Sequence, residues 1–218
     1  MAGVVSAPAG VDRRGARIAA AIATGAVCGT AWAAAFRAYM VELAGVASRV
    51  DWVGTFVGVL LPGAVAGVLI GWAAVRNDRR RRWLGLAPLA FAVAPLALPG
   101  ALVDLFTQGL GGGAIAVALL AVAGGYAVSG AGPRWARVLC GVPAGILLVG
   151  TVWATPLIAP RLAHDAARGA WVAVLAGSLL LVLVAAASIP FRPLRAPEPD
   201  GATGAVPGDE PPGTGATR

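Results

Sequence analysis

The sequence predicts an all-α integral membrane protein, a six-helix transmembrane bundle with both termini cytoplasmic. Three observations lead there. Hydrophobic residues make up 58% of the 218 residues and charged residues 12%, against roughly 25% charged in an average soluble domain. The apolar residues fall in blocks of about twenty, the length that crosses ~30 Å of hydrocarbon at 1.5 Å per residue. The one dense charge run, Arg76-Asn77-Asp78-Arg79-Arg80-Arg81-Arg82-Trp83, lies between two such blocks. It cannot sit in lipid, and Arg-rich loops stay on the cytoplasmic side.

In chain order, residues 1–17 read as a cytoplasmic arm, with Arg13, Arg14 and Arg17 leading into the first apolar run. The transmembrane domain covers residues 18–189, with spans at 18–36, 52–75, 84–103, 110–128, 138–158 and 170–189. The first run is longer than the apolar region of a signal peptide, which favours a retained span. Residues 190–218 are Pro, Gly, Ala and acid without apolar periodicity, and read as a disordered cytoplasmic tail. Helices are required because lipid offers backbone groups no partner, and a barrel would need strands of alternating polarity.

Charge sets the orientation. All 17 basic residues are Arg. Only Arg37, Arg49, Arg161 and Arg168 fall in the segments this topology places outside; the rest fall inside. Trp52, Trp83 and Trp171 stand at span edges, where an amphipathic ring prefers to lie, whereas Trp32 and Trp153 are deeper and expected to pack between helices or towards the outer boundary. The net charge of +7 sits beside spans. Its partner is therefore expected to be anionic lipid headgroups, met by Arg79, Arg80, Arg81 and Arg82, and not nucleic acid. Composition and topology together point to the cytoplasmic membrane of a bacterium.

Gly63, Gly67 and Gly71 repeat every four residues in the second span, a smooth stripe that lets another backbone approach. Gly25/Gly29 and Gly141/Gly145 have the same spacing. Whether the stripe meets another span or a second copy is open from sequence. Cys28 and Cys140 fall at different membrane depths and read as small buried residues, not a disulfide.

The first outer connection carries Arg37, Glu42, Arg49 and Asp51 in alternating sign. Together with Asp104 they form the candidate outer polar site, because a charge held at membrane depth is a functional candidate by default. Arg37 and Glu42 are five apart, so they are not a simple intrahelical pair. In the last outer connection, a short helix would pair Arg161 with Asp165 and His164 with Arg168. No catalytic constellation, phosphate loop or metal-ligand set is readable, so no cofactor or metal is expected.

Arg37-Ala38-Tyr39-Met40 followed by Trp52-Val53-Gly54-Thr55, with the Arg-rich loop after the second span, resembles a group of uncharacterised multi-span membrane proteins of high-GC bacteria. In that group a Trp stands where this chain has Tyr39, and an acidic Pro-Glu stretch separates the two elements. The resemblance implies the multi-span architecture and no activity. The function expected is a structural or interaction component working through helix packing and loop contacts, with a membrane-protein partner or self-association. The alternative is a small-solute transporter or channel subunit with an outer vestibule around Arg37, Glu42 and Asp104.

Overall fold

The structure, a computed structural model, describes residues 13–97 and 112–194. Among them every regular element is helical: α1 (Arg13–Ala44), α2 (Leu61–Val75), α3 (Ala90–Leu96), α4 (Gly112–Val128), α5 (Arg134–Trp153) and α6 (Ala167–Ser188), with a single α-turn at Thr155–Ile158 and 3₁₀ and π segments between them. Four helical segments are long and apolar enough to cross a membrane: Arg13–Ala44, Trp52–Val75, Arg134–Trp153 and Ala167–Phe191. Helix α4, at 17 residues, is shorter and equally apolar. Part of the expected third span, together with Asp104, lies outside the described residues.

The second span keeps its expected bounds, Trp52–Val75, with local winding that the sequence explains, whereas the first runs past its expected end. Helix α1 does not stop near residue 36 but continues to Ala44, which carries Arg37 and Glu42 into the helix. The second span opens with a π-helical stretch, Trp52–Leu60. Pro62 follows it, lacks an N–H and would crowd the carbonyl four residues back; a wider turn before it relieves that contact. Similarly, Pro88 removes a donor from Arg79–Leu89, which winds as a 3₁₀ helix of 11 residues before α3 begins.

Helix α1 packs along α2 through the glycine stripe. A Cβ on Gly67 would overlap the Gly25 carbonyl, one on Gly29 the Gly63 carbonyl, and one on Gly71 the Ala21 carbonyl. The seam is internal to the chain, and the Gly25/Gly29 pair is its other half. A second close approach brings α4 to α6, where a Cβ on Gly125 would stand 2.7 Å from the Ala187 carbonyl carbon.

Trp32 joins these two layers. Its ring stacks on Phe36 at 5.1 Å and meets the edge of Phe91 on α3 at 5.2 Å, while its indole N–H donates to the Leu179 carbonyl of α6 at 2.8 Å. It borders all three buried apolar clusters. Helix α5 contributes little to the interior and leaves Val142, Ile146 and Val149 exposed.

Replacing Gly67 by Leu should cost at least about 1–3 kcal/mol, the usual range for overpacking, because backbone and not a side-chain tip occupies the space. Thermal unfolding in detergent measures it. Gly145→Ala is the control, since a Cβ at Gly145 meets nothing within 4 Å.

Candidate functional site

The outer polar residues are held by elements far apart in sequence. Arg37 lies near the end of α1, where a long side chain can reach past the apolar stretch to polar groups. Its Nε donates to Thr55 Oγ1 at 3.4 Å and its Nη1 to Ser48 Oγ at 3.2 Å, and Nη2 donates to the Arg49 carbonyl. Thus the Arg37-to-Met40 element and the Trp52-to-Thr55 element, which stand well apart along the chain, meet at one guanidinium. Among the described residues no carboxylate lies within ion-pair distance of Arg37. Asp51 acts on the backbone instead. Its Oδ1 accepts from the Gly54 N–H at 2.6 Å and caps the helical turn that opens the second span. An N-cap of this kind is typically worth ~1 kcal/mol. Arg49 serves through its carbonyl, and its side chain is exposed.

Glu42 belongs to a neighbouring cluster. Its carboxylate accepts from Arg168 at the start of α6, 2.9 Å away in the ion pair. Arg161 Nη2 donates to the carbonyls of Glu42 and of Leu43, the latter at 3.0 Å. These carbonyls lie in the last turn of α1, where they have no intrahelical partner and carry the negative end of the helix dipole. The chain turns there through Gly45 at φ +59, and a Cβ on Gly45 would stand 2.7 Å from the Arg161 guanidinium. Only glycine satisfies both the left-handed backbone and the contact.

The expected i,i+4 pairs in the last outer connection do not form. Residues 163–166 are not helical and α6 starts at Ala167, so Arg161 and Arg168 are available to α1. His164 Nε2 sits 3.2 Å from the Val152 carbonyl. Among the described residues no three His, Cys, Asp or Glu side chains converge as a metal site would require.

At the opposite end of the helices, the Arg76–Trp83 loop is built as a tight turn. Arg76 stacks over Trp72 at 4.7 Å and pairs with Asp78, whose Oδ1 accepts from the Arg81 N–H at 3.0 Å. The hydrogen-bonded Arg76 guanidinium holds the Asp78 carboxyl below its ordinary 3.8. Arg81 turns inward and is 7% exposed. It donates to the carbonyls of Arg76, Arg192 and Pro193, tying the end of α6 to this loop. Arg79, Arg80 and Arg82 are exposed. The four-arginine run therefore divides into three surface cations and one internal fastener.

An apolar cleft of about 480 Å³ lies elsewhere, between α1, α2, α3 and α6, and neither Arg37 nor Glu42 lines it. The Gly63–Gly71 stripe and Cys28 form part of its wall. Cys28 and Cys140 are both free thiols; Cys28 is exposed, not buried as its place mid-span suggests, because the cavity leaves that face of α1 uncovered. The chain matches no family model, no curated protein and no solved structure.

Arg161→Ala, which leaves two carbonyls at the C-terminal end of α1 without their guanidinium, should lower stability by about 1 kcal/mol, because water partly replaces exposed hydrogen bonds, and Arg168→Ala, which removes one exposed ion pair, by less; thermal unfolding in detergent ranks them. Because the folded Asp78 pKa is depressed, its contribution is complete at neutral pH and is lost as pH falls below about 3.8 through the folded value. Asp78→Ala should accordingly speed trypsin cleavage at Arg79–Arg82 at pH 7.

Proposed function

We propose that this chain is a six-span protein of a bacterial cytoplasmic membrane, with both termini inside, that acts as a structural or interaction component through helix packing. The observation that carries the reading is what the outer charges do. Arg37, Asp51, Arg161 and Arg168 bind the chain's own backbone, hydroxyls or Glu42, so they fasten loops to helices and do not line a passage. The large cavity is apolar along its length, which weighs against the transporter alternative, since solute paths are normally marked by polar or ionisable groups facing the interior.

Orientation follows from the division of arginines, and Arg79, Arg80 and Arg82 are exposed for headgroups of the inner leaflet.

The surface offered to a partner is the outer face of α5. Val138, Gly141, Val142, Gly145, Ile146 and Val149 form a shallow apolar groove there. Gly145 is open there, since a Cβ on it would meet nothing within 4 Å, whereas a Cβ on Gly141 would lie 3.3 Å from Ala127 of α4; a partner helix can therefore come close at Gly145. A membrane-protein partner, or a second copy, fits this face. Crosslinking and co-purification from native membranes test the reading: a defined partner band is expected, weakened when Gly145 is replaced by Leu, where a side chain meets nothing within the chain. Solute flux through liposomes holding this chain alone, with no partner recovered, would reverse it.

A further inference from the structure

We propose that the cleft between α1, α2 and α6 holds one acyl chain of an anionic phospholipid, with the phosphate gripped by Arg17 and Arg192 at its arginine-bearing end. This inference requires the chain to lie in a membrane, but it does not depend on its orientation or on the partner reading above.

The cleft has the dimensions and lining of a lipid tail site. Its volume is about 480 Å³, within the roughly 300–1,000 Å³ of ligand cavities. On α1 the lining begins at Ala20 and ends at Trp32, a run of about 18 Å at 1.5 Å per residue, slightly more than half of the ~30 Å hydrocarbon core. That is the depth of one leaflet. The Trp32 indole N–H is taken by Leu179, and Thr24 and Cys28 are the remaining polar side chains; all others are Ala, Gly, Val, Leu, Ile or Phe. Thr24 and Cys28 are both exposed while lining the cleft, so it opens sideways, where a lipid can enter.

Charge decides which lipid. Arg17 stands three and four residues before Ala20 and Ala21, on the same face of α1 and one turn beyond the cleft. Its side chain is exposed, and it makes no hydrogen bond or ion pair with the described residues. Arg192 follows Ile189, another lining residue, by three positions; its carbonyl is used by Arg81 and its side chain is exposed. Two exposed arginines thus follow or precede lining residues by one turn at the same end of an apolar slot one leaflet deep. An anionic phosphodiester satisfies them with bidentate hydrogen bonds while its tail fills the slot. A lipid without phosphate would fill the slot and leave the cations unpaired, and a zwitterionic lipid would bring the same phosphodiester with an ammonium group that the two arginines repel, so it should bind more weakly.

Cys28 supplies the readout. In the full chain carrying Cys140→Ser, purified in detergent, alkylation of Cys28 is followed with added phosphatidylglycerol or with phosphatidylcholine of identical chains. Phosphatidylglycerol should slow the reaction at the lower concentration, and Arg17→Gln and Arg192→Gln should each raise the half-protecting concentration about fivefold. Native mass spectrometry should count one retained phosphatidylglycerol, lost in Thr24→Phe, which adds bulk to an exposed wall of the slot. Equal protection by the two lipids, protection unaffected by either Arg substitution, or protection that depends on protein concentration and not on lipid would each overturn the proposal. The last outcome would identify a second copy as the occupant.

Discussion

Helix α1 can lie against α2 only because neither backbone carries side chains along the line of contact. In lipid there is little hydrophobic drive for helices to associate, so close van der Waals packing must supply the attraction. Gly25, Gly29, Gly63, Gly67 and Gly71 bring carbonyl oxygens of one helix to the Cα surface of the other. The remaining architecture is arranged on that paired unit. Trp32 projects from it to α3 and α6, the outer connection folds back over its end, and the cleft runs along its side.

Charges in this chain act mainly as fasteners. Arg161 neutralises the open carbonyls at the end of α1, Arg37 gathers the connection that follows, and Arg81 draws the end of α6 onto the loop after α2. These arginines work beside apolar contacts between the same segments, such as Phe191 over Gly85 and Leu162 in the cluster with Tyr39. Their acceptors are mostly backbone carbonyls, which keeps guanidinium groups hydrogen-bonded at the edge of hydrocarbon without requiring a matching acid. This use suits a composition with 17 Arg and only 10 acidic residues.

The apolar blocks and the glycine triple were legible in the sequence because both depend on local spacing: length for a span, every fourth position for a smooth face. What was not legible depends on distant partners. Gly25 and Gly29 looked like an incidental pair until α2 was laid against them. The charges of Arg37 and Glu42 suggested a helix end, yet α1 continues, because Arg37 finds acceptors 11 to 18 residues on and Glu42 finds Arg168, 126 residues on. The inward turn of Arg81 left no trace in the pattern either, since its neighbours are equally basic and a carbonyl acceptor carries no side-chain signature.

Arg81 also imposes an order in time. Two of its acceptors, the Arg192 and Pro193 carbonyls, lie 111 and 112 residues further along, so they leave the ribosome only after the final helix has been made. Throughout synthesis this guanidinium must wait at the aqueous boundary beside its three basic neighbours. The clasp can shut only once α6 has been made, and a chain truncated before Arg192 would keep α1 to α6 while leaving the loop after α2 unlatched from α6.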